Sequence, residues 1–507
     1  MNSKILTFKE IAEKIKILKK KNKKIVLCHG VFDLLHVGHI KHLRKAKEFG
    51  DKLVVTITPD IYVNKGPGRP VFNQNLRSES IAALDSVDFV VINNTATAVN
   101  PIKVIKPDIY CKGQDYKKAS NDITGEIKNE IKEIKKIKSK IVFTNEITFS
   151  SSRLINRSTD FFSPNQKKII NKISKIYNFK KIKKIIDSFS KLKILVIGET
   201  IIDQYNFCEA VGKSGKEPML VFKELKSDQY LGGVLNIAKN LSQFSNKITV
   251  LSMLGENREY LKDINKQLPK NIKSKFIFKD NSPTILKKRF VDSISQSKVI
   301  GIYNINDEIL NNRNEESFIK LLKKEIRKND LVIVSDYGHG LISKNSANLI
   351  CKQSKFLALN AQVNASNIGY HTIRNYKNFN TLIINEREIR HEIRDRNSKL
   401  ENLMKNLAKE KNILNLIVTM GSSGSVLFNK KKNKFYYADG FAHKIVDKIG
   451  AGDTMLSLIG PCIKSNADSD ISLLISSLAA AQSVETIGNK YTIGKTQILK
   501  TLENFLK

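Results

Sequence analysis

The chain lacks any apolar run long enough to cross a bilayer. Its first segment is interrupted by Lys4, Lys9, Glu10, Glu13 and Lys14, where a signal peptide would be continuously apolar. A cytoplasmic location without membrane association is therefore expected. Cysteine is scarce: Cys28, Cys111, Cys208, Cys351 and Cys462 are odd in number and carry no metal-ligand spacing. Neither a disulfide framework nor a zinc knuckle is expected on that ground, and the five read as small buried apolar residues. Acidic residues are also few, 49 against 87 Lys and Arg, for a net charge of +38. No RNA-recognition, zinc-finger or helix-turn-helix signature accompanies this excess, and patterns such as Ile131-Lys132-Glu133-Ile134-Lys135-Lys136 put lysine on the wet faces of amphipathic helices. The charge is read as a solvated surface that attracts anionic metabolites, with no specific nucleic-acid partner.

What is present is enough for more than one core. At 507 residues, with 41% hydrophobic and 27% charged residues, the chain predicts two or three globular domains. Thr7 and Glu10 have capping-box spacing ahead of a helix with Phe8, Ile11, Ile15 and Leu18 on one face. Buried strands are expected at 24–28, 51–57, 88–92 and 109–111, with helices between them, giving a small doubly wound parallel sheet. Two lysine-rich helices around Pro164 form a connector over 158–192. A second α/β series follows, with strands at 193–197, 247–253, 331–335, 381–384 and 416–419 and a hairpin at 425–428 and 434–437. No internal repeat links the halves.

Two segments point to phosphate chemistry, each where a strand gives way to a helix and free backbone N–H groups can hold an anion. The first is Gly30-Val31-Phe32-Asp33-Leu34-Leu35-His36-Val37-Gly38-His39. His36 and His39 lie three apart at a first helical turn, so both imidazoles face one way, and Gly38 lets a phosphate approach the backbone. Such a site stabilises charge on a pentacoordinate phosphorus and a departing pyrophosphate. A histidine pair by itself is more often structural or metal-binding; the ten-residue pattern after a strand is far more specific.

On these residues the first 155 or so positions resemble the cytidylyltransferase-like nucleotidyltransferases. Lys65-Gly66-Pro67-Gly68-Arg69-Pro70, Arg77, Lys106-Pro107-Asp108, Lys112-Gly113-Gln114-Asp115-Tyr116 and Phe149-Ser150-Ser151-Ser152-Arg153 fall where the sugar-phosphate branch has its signatures. The resemblance implies that His36 and His39 contact the triphosphate, that Phe32, Asp33, Gly38, Lys65 and Arg77 form the nucleotide site, and that Ser151, Ser152 and Arg153 hold phosphates or the leaving group.

The second segment is Asp447-Lys448-Ile449-Gly450-Ala451-Gly452-Asp453 before an apolar helix. Its close-packed N–H donors suit a transferring γ-phosphoryl group, and Asp453 can take the proton of an attacking hydroxyl. Alone it could be a plain helix start. Its neighbours over residues 193–495 resemble the ribokinase-like sugar kinases: Gly232-Gly233 with Asn236, Asn385 with Glu388, and Thr419-Met420-Gly421-Ser422-Ser423-Gly424. Within that family the likeness is to heptose-phosphate kinases, on Gly198 to Asp203, Glu217-Pro218, Pro283-Thr284, Lys287, Arg289 and Ser335-Asp336-Tyr337-Gly338. The resemblance implies that Asp203, Gly232, Gly233 and Asn236 hold sugar hydroxyls and that Lys287 and Arg289 bind the sugar's phosphate. It places Asn385, Glu388, Thr419, Gly421, Gly424, Gly450, Ala451 and Gly452 around ATP, with Glu388 reaching Mg2+ through water. Three departures stand out: an amide-rich Asn360-to-Asn367 stretch where heptose kinases have Asp-Pro-Lys, Lys448 for the usual Thr, and His339 where Lys is common.

The expected fold is α/β, a Rossmann-like nucleotidyltransferase domain (1–157), a helical linker (158–192) and a ribokinase-like α/β sandwich with a small β lid (193–507). The expected function is activated-sugar synthesis: ATP-dependent, Mg2+-dependent phosphorylation of a sugar resembling heptose 7-phosphate, and transfer of a nucleotidyl group from ATP or CTP to a sugar 1-phosphate with release of pyrophosphate. Sugar phosphates and nucleoside triphosphates are the expected partners, and a homo-oligomer is compatible with both halves. The domain order is the reverse of bifunctional heptose enzymes, which place the kinase first. Two other readings stay open: a polyol- or glycerol-phosphate cytidylyltransferase joined to a kinase for another sugar, and a kinase fold that only binds.

Overall fold

The structure is a computed structural model that describes residues 3–63, 66, 69–114, 117, 125–145, 162–364, 367–368, 370–490 and 492–506. The chain divides into two compact units, residues 1–174 with 499–507, and residues 175–498.

In the first unit, β1 (Ile25–Gly30), β2 (Lys52–Ile57), β3 (Phe89–Ile92), β4 (Ile109–Gly113) and β5 (Lys140–Thr144) form a sheet in the order β3-β2-β1-β4-β5. All pairs are parallel, and β1 is the strand at which the winding reverses. Ligands in such sheets bind outside the C-terminal strand ends at that reversal, here between β1 and β4. The Val-Ile-Leu character of β1 and β2 reflects burial on both faces. On one face β1 meets Leu43 and Ala46 of the helix Val37–Lys47, on the other Ile11 and Ile15 of the helix Phe8–Lys20. Thr7 and Glu10 form the expected capping box of that latter helix.

The second unit is built on a larger sheet. Its strands are β6 (Lys193–Gly198), then, after β7 (Thr200–Lys213) and β8 (Leu220–Gly233), β9 (Lys247–Gly255) and β10 (Ile272–Lys279). Following β11 (Leu286–Asp292) and β12 (Lys298–Asn304) come β13 (Leu331–Asp336), β14 (Leu357–Ala361), β15 (Thr381–Asn385), β16 (Asn415–Thr419), β17 (Ser425–Asn429) and β18 (Lys434–Ala438). The order is β10-β9-β6-β13-β14-β15-β16-β17-β18, parallel as far as β16 and ending in the antiparallel β17–β18 hairpin. A separate sheet, β12-β11-β7-β8, supplies the lid. β7 and β8 pair along almost their whole length, and β8 runs straight into Gly233, the N-cap of the helix Val234–Ser242. Among the described residues, no helix is long and apolar enough to cross a membrane.

Candidate functional site

In the first unit β1 delivers the chain to the loop 31–36, and His36 caps the helix Val37–Lys47, its Nδ1 accepting the Gly38 N–H at 3.1 Å. His36 and His39 stack with ring centroids 3.9 Å apart, and Phe32 meets His39 edge-on at 5.4 Å. The two imidazoles thus lie side by side at the start of this helix. Asp33 is fully buried; its Oδ1 accepts the Val71 and Phe72 N–H groups at 2.9 and 3.3 Å, and its Oδ2 faces Arg69 at 3.4 Å. It ties the histidine loop to the segment after residue 68. Burial pulls the Arg69 guanidinium down, with the Asp33 charge acting against it.

Arg77 departs from expectation. Rather than pointing at a nucleotide it is 1% exposed, donating to the carbonyls of Phe72 (2.9 Å), Thr58 (2.9 Å) and Val31 and pairing with Asp60 at 2.5 Å. A guanidinium has five N–H donors in a fixed fork. Here the fork is committed to three loops and one carboxylate, so Arg77 positions the histidine loop from behind. Lys65, Ser151, Ser152 and Arg153 lie outside the described residues. Sequence reasoning missed His29, whose Nδ1 lies 2.9 Å from Thr56 Oγ1 and Nε2 3.3 Å from Thr58 Oγ1. Burial and then the Lys112 charge push it down to about 3, so it is a neutral hydrogen-bonding wedge at the end of β1.

In the second unit Gly450 is the N-cap of the helix Ala451–Lys464. Its φ of 81° is left-handed, and a Cβ there would come within 2.4 Å of Asn489 Oδ1, so the position requires glycine. The first intrahelical bond is Thr454 N–H to Gly450 O at 2.9 Å. The amides of Ala451, Gly452 and Asp453 therefore precede the helical ladder and form an anion cradle. A Cβ on Gly452 would meet nothing within 4 Å, which places that glycine against open space.

Asp453 sits at this helix start and accepts the Tyr337 hydroxyl on Oδ1 at 2.7 Å. Burial raises its pKa to about 7; the Tyr337 bond and the Lys287 charge act against that, while the Asp203 charge adds to it. A carboxylate of that pKa is matched to general-base work near neutral pH. Tyr337 is itself fixed from three sides. Its N–H donates to Glu199 Oε2 at 3.0 Å, and its carbonyl accepts Asn364 Nδ2 at 2.8 Å and Asn367 Nδ2 at 2.9 Å. The amide-rich stretch thus holds the residue that holds the base. Asn360, by contrast, ties β14 to β15 through the Ile383 carbonyl.

Asp203 of β7 and Arg289 of β11 are paired at 2.5 Å, and Asn489 reaches the other Asp203 oxygen at 3.4 Å. This changes the expectation for Arg289: its charge is already matched by Asp203, and the guanidinium orients that carboxylate. Lys287, also on β11, lies over the Tyr303 ring at 5.3 Å. Burial, joined by Arg289, pulls the Lys287 ammonium down, and Asp203 opposes the shift. Unlike Arg289, Lys287 has no salt-bridge partner among the described residues. Gly232 is required by Asp203, since a Cβ would fall 2.2 Å from its Oδ2. Asn236 is 4% exposed and its Nδ2 is a buried donor with no hydrogen-bond partner among the described residues.

His339 donates Nδ1–H to Asp307 Oδ1 at 2.6 Å, and its fully buried Nε2 has no partner among the described residues. Burial and the Lys287 charge lower it to about 4, so at neutral pH it is an uncharged acceptor where the resemblance leads one to expect a lysine. Glu388 caps the helix Glu386–Ile393 in a capping box with Asn385: Asn385 N–H reaches Oε2 at 2.8 Å, and Val363 N–H reaches Oε1 at 3.3 Å. Burial raises it to about 7. Thr419 ends β16, and Gly421 opens and Gly424 closes a tight turn into β17. Asp447, the first residue of the glycine-containing segment, has no role assigned to it from the sequence; it joins Tyr205 (2.8 Å), Lys298 (2.5 Å) and the Gly488 N–H (3.1 Å), fastening the lid strands to the loop before the cradle. Burial alone would raise it; the bonds from Lys298, the Ile449 N–H and Tyr205 outweigh burial and hold it low.

Comparison with known proteins agrees with this geometry. The cytidylyltransferase-like family matches residues 27–157 and the pfkB family carbohydrate kinases match residues 191–494. The bifunctional protein HldE of Campylobacter jejuni (strain RM1221) is 27% identical over 305 residues, 60% of this chain and 63% of that protein. HldE of Aliarcobacter butzleri is 43% identical over 137 residues, 26% of this chain and 28% of its relative. The chain thus spans under two thirds of the length of these relatives. Phosphofructokinase-2 of Escherichia coli in complex with fructose-6-phosphate superposes with a TM-score of 0.50 at 12% identity, over 61% of this chain and 98% of that one, a likeness of fold. With the kinase match covering more than half its length, the chain belongs to the pfkB family of carbohydrate kinases and carries a cytidylyltransferase-like domain ahead of the kinase.

Proposed function

We propose that this is a bifunctional enzyme of nucleotide-activated sugar synthesis, with a transferase over residues 1–157, a connector over 158–192 and a kinase over 193–507. The observation that carries the reading is Asp453, with a pKa of about 7, set at an open helix N-terminus and held by Tyr337. In the kinase, Asp203, Gly232, Gly233 and Asn236 position the acceptor sugar and Lys287 receives its phosphate. Asp453 takes the proton of the attacking hydroxyl. The amides of Ala451, Gly452 and Asp453 receive charge that builds on the transferring phosphoryl group. In the transferase, His36, His39 and the Gly38 backbone receive the triphosphate of ATP or CTP, and the sugar 1-phosphate displaces pyrophosphate.

Magnesium fits the kinase site. Glu388 is a buried carboxyl whose two oxygens each accept one backbone N–H and each keep a further acceptor position, suited to an ion that keeps its waters. The ion supplies charge neutralisation along the triphosphate. Asn385, Thr419, Gly421 and Gly424 then frame the nucleotide.

A heptose phosphate is the substrate class favoured by the stretches that resemble heptose-phosphate kinases, Glu217-Pro218, Pro283-Thr284 and Ser335-Asp336-Tyr337-Gly338, and the similar HldE proteins are named as bifunctional. The matched lengths of 305 and 137 residues correspond to the spans of the two family matches, which supports two separately related halves. The test is mass spectrometry of products from the whole enzyme given magnesium, ATP and CTP with heptose 7-phosphate and, separately, heptose 1-phosphate. A bisphosphate from the first and a nucleotide sugar with pyrophosphate from the second are expected. Failure of both, with turnover of glycerol phosphate and CTP instead, would overturn the heptose reading.

A further inference from the structure

Beneath the transferase site lies a donor cluster that nucleotidyl transfer does not use. Cys28 of β1 and Cys111 of β4 are directly paired in register on adjacent parallel strands, so their side chains leave the same face of the sheet. They are 0% and 1% exposed. His42, on the helix that covers this face, brings a ring nitrogen to them, and the three ligand atoms all lie within 4.8 Å of one another. His42 Nδ1 is engaged by Thr144 Oγ1 at 2.8 Å. Fixing one imidazole nitrogen with an outer hydrogen bond is how metal-binding histidines are oriented, and it leaves Nε2 as the ligand.

We propose that Cys28, Cys111 and His42 form a binding site for a thiophilic d10 cation, zinc(II) or copper(I). Such ions bind thiolate at about 2.3 Å and imidazole at about 2.0–2.1 Å, so their donors lie roughly 3.4–4 Å apart. Donors within 4.8 Å reach that spacing by small side-chain rotations. Two sulfurs and one imidazole select soft or borderline ions over magnesium or calcium. Binding breaks the two S–H bonds and forms two metal–sulfur bonds, and the two protons leave to solvent. The Lys112 ammonium, paired with Glu130 at 2.9 Å, exerts its field on both Cys28 and His42 and offsets the negative charge of the thiolates.

The position gives the site a consequence for the transferase. Cys28 is two residues before Gly30, Cys111 two before Gly113, and His42 is one turn beyond His39 on the same helix. A bound ion would clamp together the two strands that flank the reversal point and the helix that presents His36 and His39. It acts by positioning and touches no reacting atom.

The test uses the full chain, reduced, stripped with chelator, and titrated separately with cobalt(II) as the optical stand-in for zinc and with copper(I). One equivalent per chain should bind. Cobalt should give a thiolate-to-metal charge-transfer band, and X-ray absorption of the zinc- or copper-loaded protein should find two sulfur neighbours and one imidazole. Thr144→Val should weaken the site by about 10–100-fold. The double variant Cys28→Ala/Cys111→Ala should lose the equivalent while keeping kinase turnover. No saturable equivalent with either ion, an equivalent that persists in the double variant, or a shell of oxygen and nitrogen only would each overturn the proposal. The absorption measurement needs no variant to fold.

Discussion

Tyr337 donates its hydroxyl to Asp453 at 2.7 Å, and this bond lowers the proton affinity that burial confers on the carboxylate. Removing Asp453 and removing the bond should have separable effects. Asp453→Asn is expected to reduce kinase kcat by about 10²–10⁴-fold, the usual contribution of a positioned general base, and to leave pyrophosphate release by the transferase unchanged. Tyr337→Phe should keep much of the turnover but move the acidic limb of the kcat/KM profile to higher pH. The check is a pH profile from 5 to 9; a limb that stays in place would break the link between the two residues.

Glu388 should leave a mark on stability. Its folded pKa of about 7 lies above the ordinary carboxyl value of 4.5, so its contribution to stability is fully present below pH 4.5 and is lost as pH rises through 7. Over that window the loss is on the order of 3 kcal/mol. Glu388→Gln keeps a cap for the Asn385 N–H but cannot ionise. Urea titrations without nucleotide, at pH 5 and pH 8, should show the variant losing less stability than the parent between those values.

Arg77 is expected to behave as a buried brace. Arg77→Ala should cost about 3–5 kcal/mol in the unit carrying the transferase, since it leaves the Asp60 partner and three carbonyls without their donor. Arg77→Lys should recover little of it, because an ammonium cannot reproduce the fork. Thermal unfolding followed by a probe in that unit measures this. If Arg77→Lys instead unfolds like the parent and only KM for the nucleotide rises, the residue is a ligand contact.

Two glycines of one motif should respond differently. Gly450→Ala must adopt a left-handed φ and place its methyl against Asn489, so it should destabilise the kinase fold and abolish activity. Gly452→Ala projects into open space and should unfold like the parent, while its methyl intrudes on the anion cradle and raises the KM for ATP. Differential scanning calorimetry beside steady-state kinetics distinguishes the two.

Much of this architecture is legible in the sequence because the two parallel sheets are buried on both faces. Their strands therefore stand out as short apolar runs, and the phosphate-binding turns follow directly from β1 and from Asp447. The lid is less legible. β8 reads Leu220-Val221-Phe222-Lys223-Glu224-Leu225-Lys226-Ser227-Asp228-Gln229, largely exposed, and its strand character comes from pairing with β7. The roles of Arg77 and Arg289 were not legible either: a motif gives the order of charged residues, while their partners, Asp60 and Asp203, are set by tertiary packing. The amide-rich 360–367 stretch is visible as a departure, but its hold on the Tyr337 carbonyl is a fact of three dimensions. Cys28 and Cys111 lack any spacing signal because adjacent parallel strands bring together positions from distant parts of the chain.

The lid strands carry Asp203 and Arg289, whereas Asp453 belongs to a helix that covers the main sheet. The Asp203 charge raises the proton affinity of Asp453 and the Lys287 charge, opposite Asp203 on the neighbouring lid strand, lowers it. Any displacement of the lid would move these two opposed charges together. One small sheet thus carries both the charge that strengthens the base and the charge that weakens it, and the base's proton affinity is set by the balance between Asp203 and Lys287.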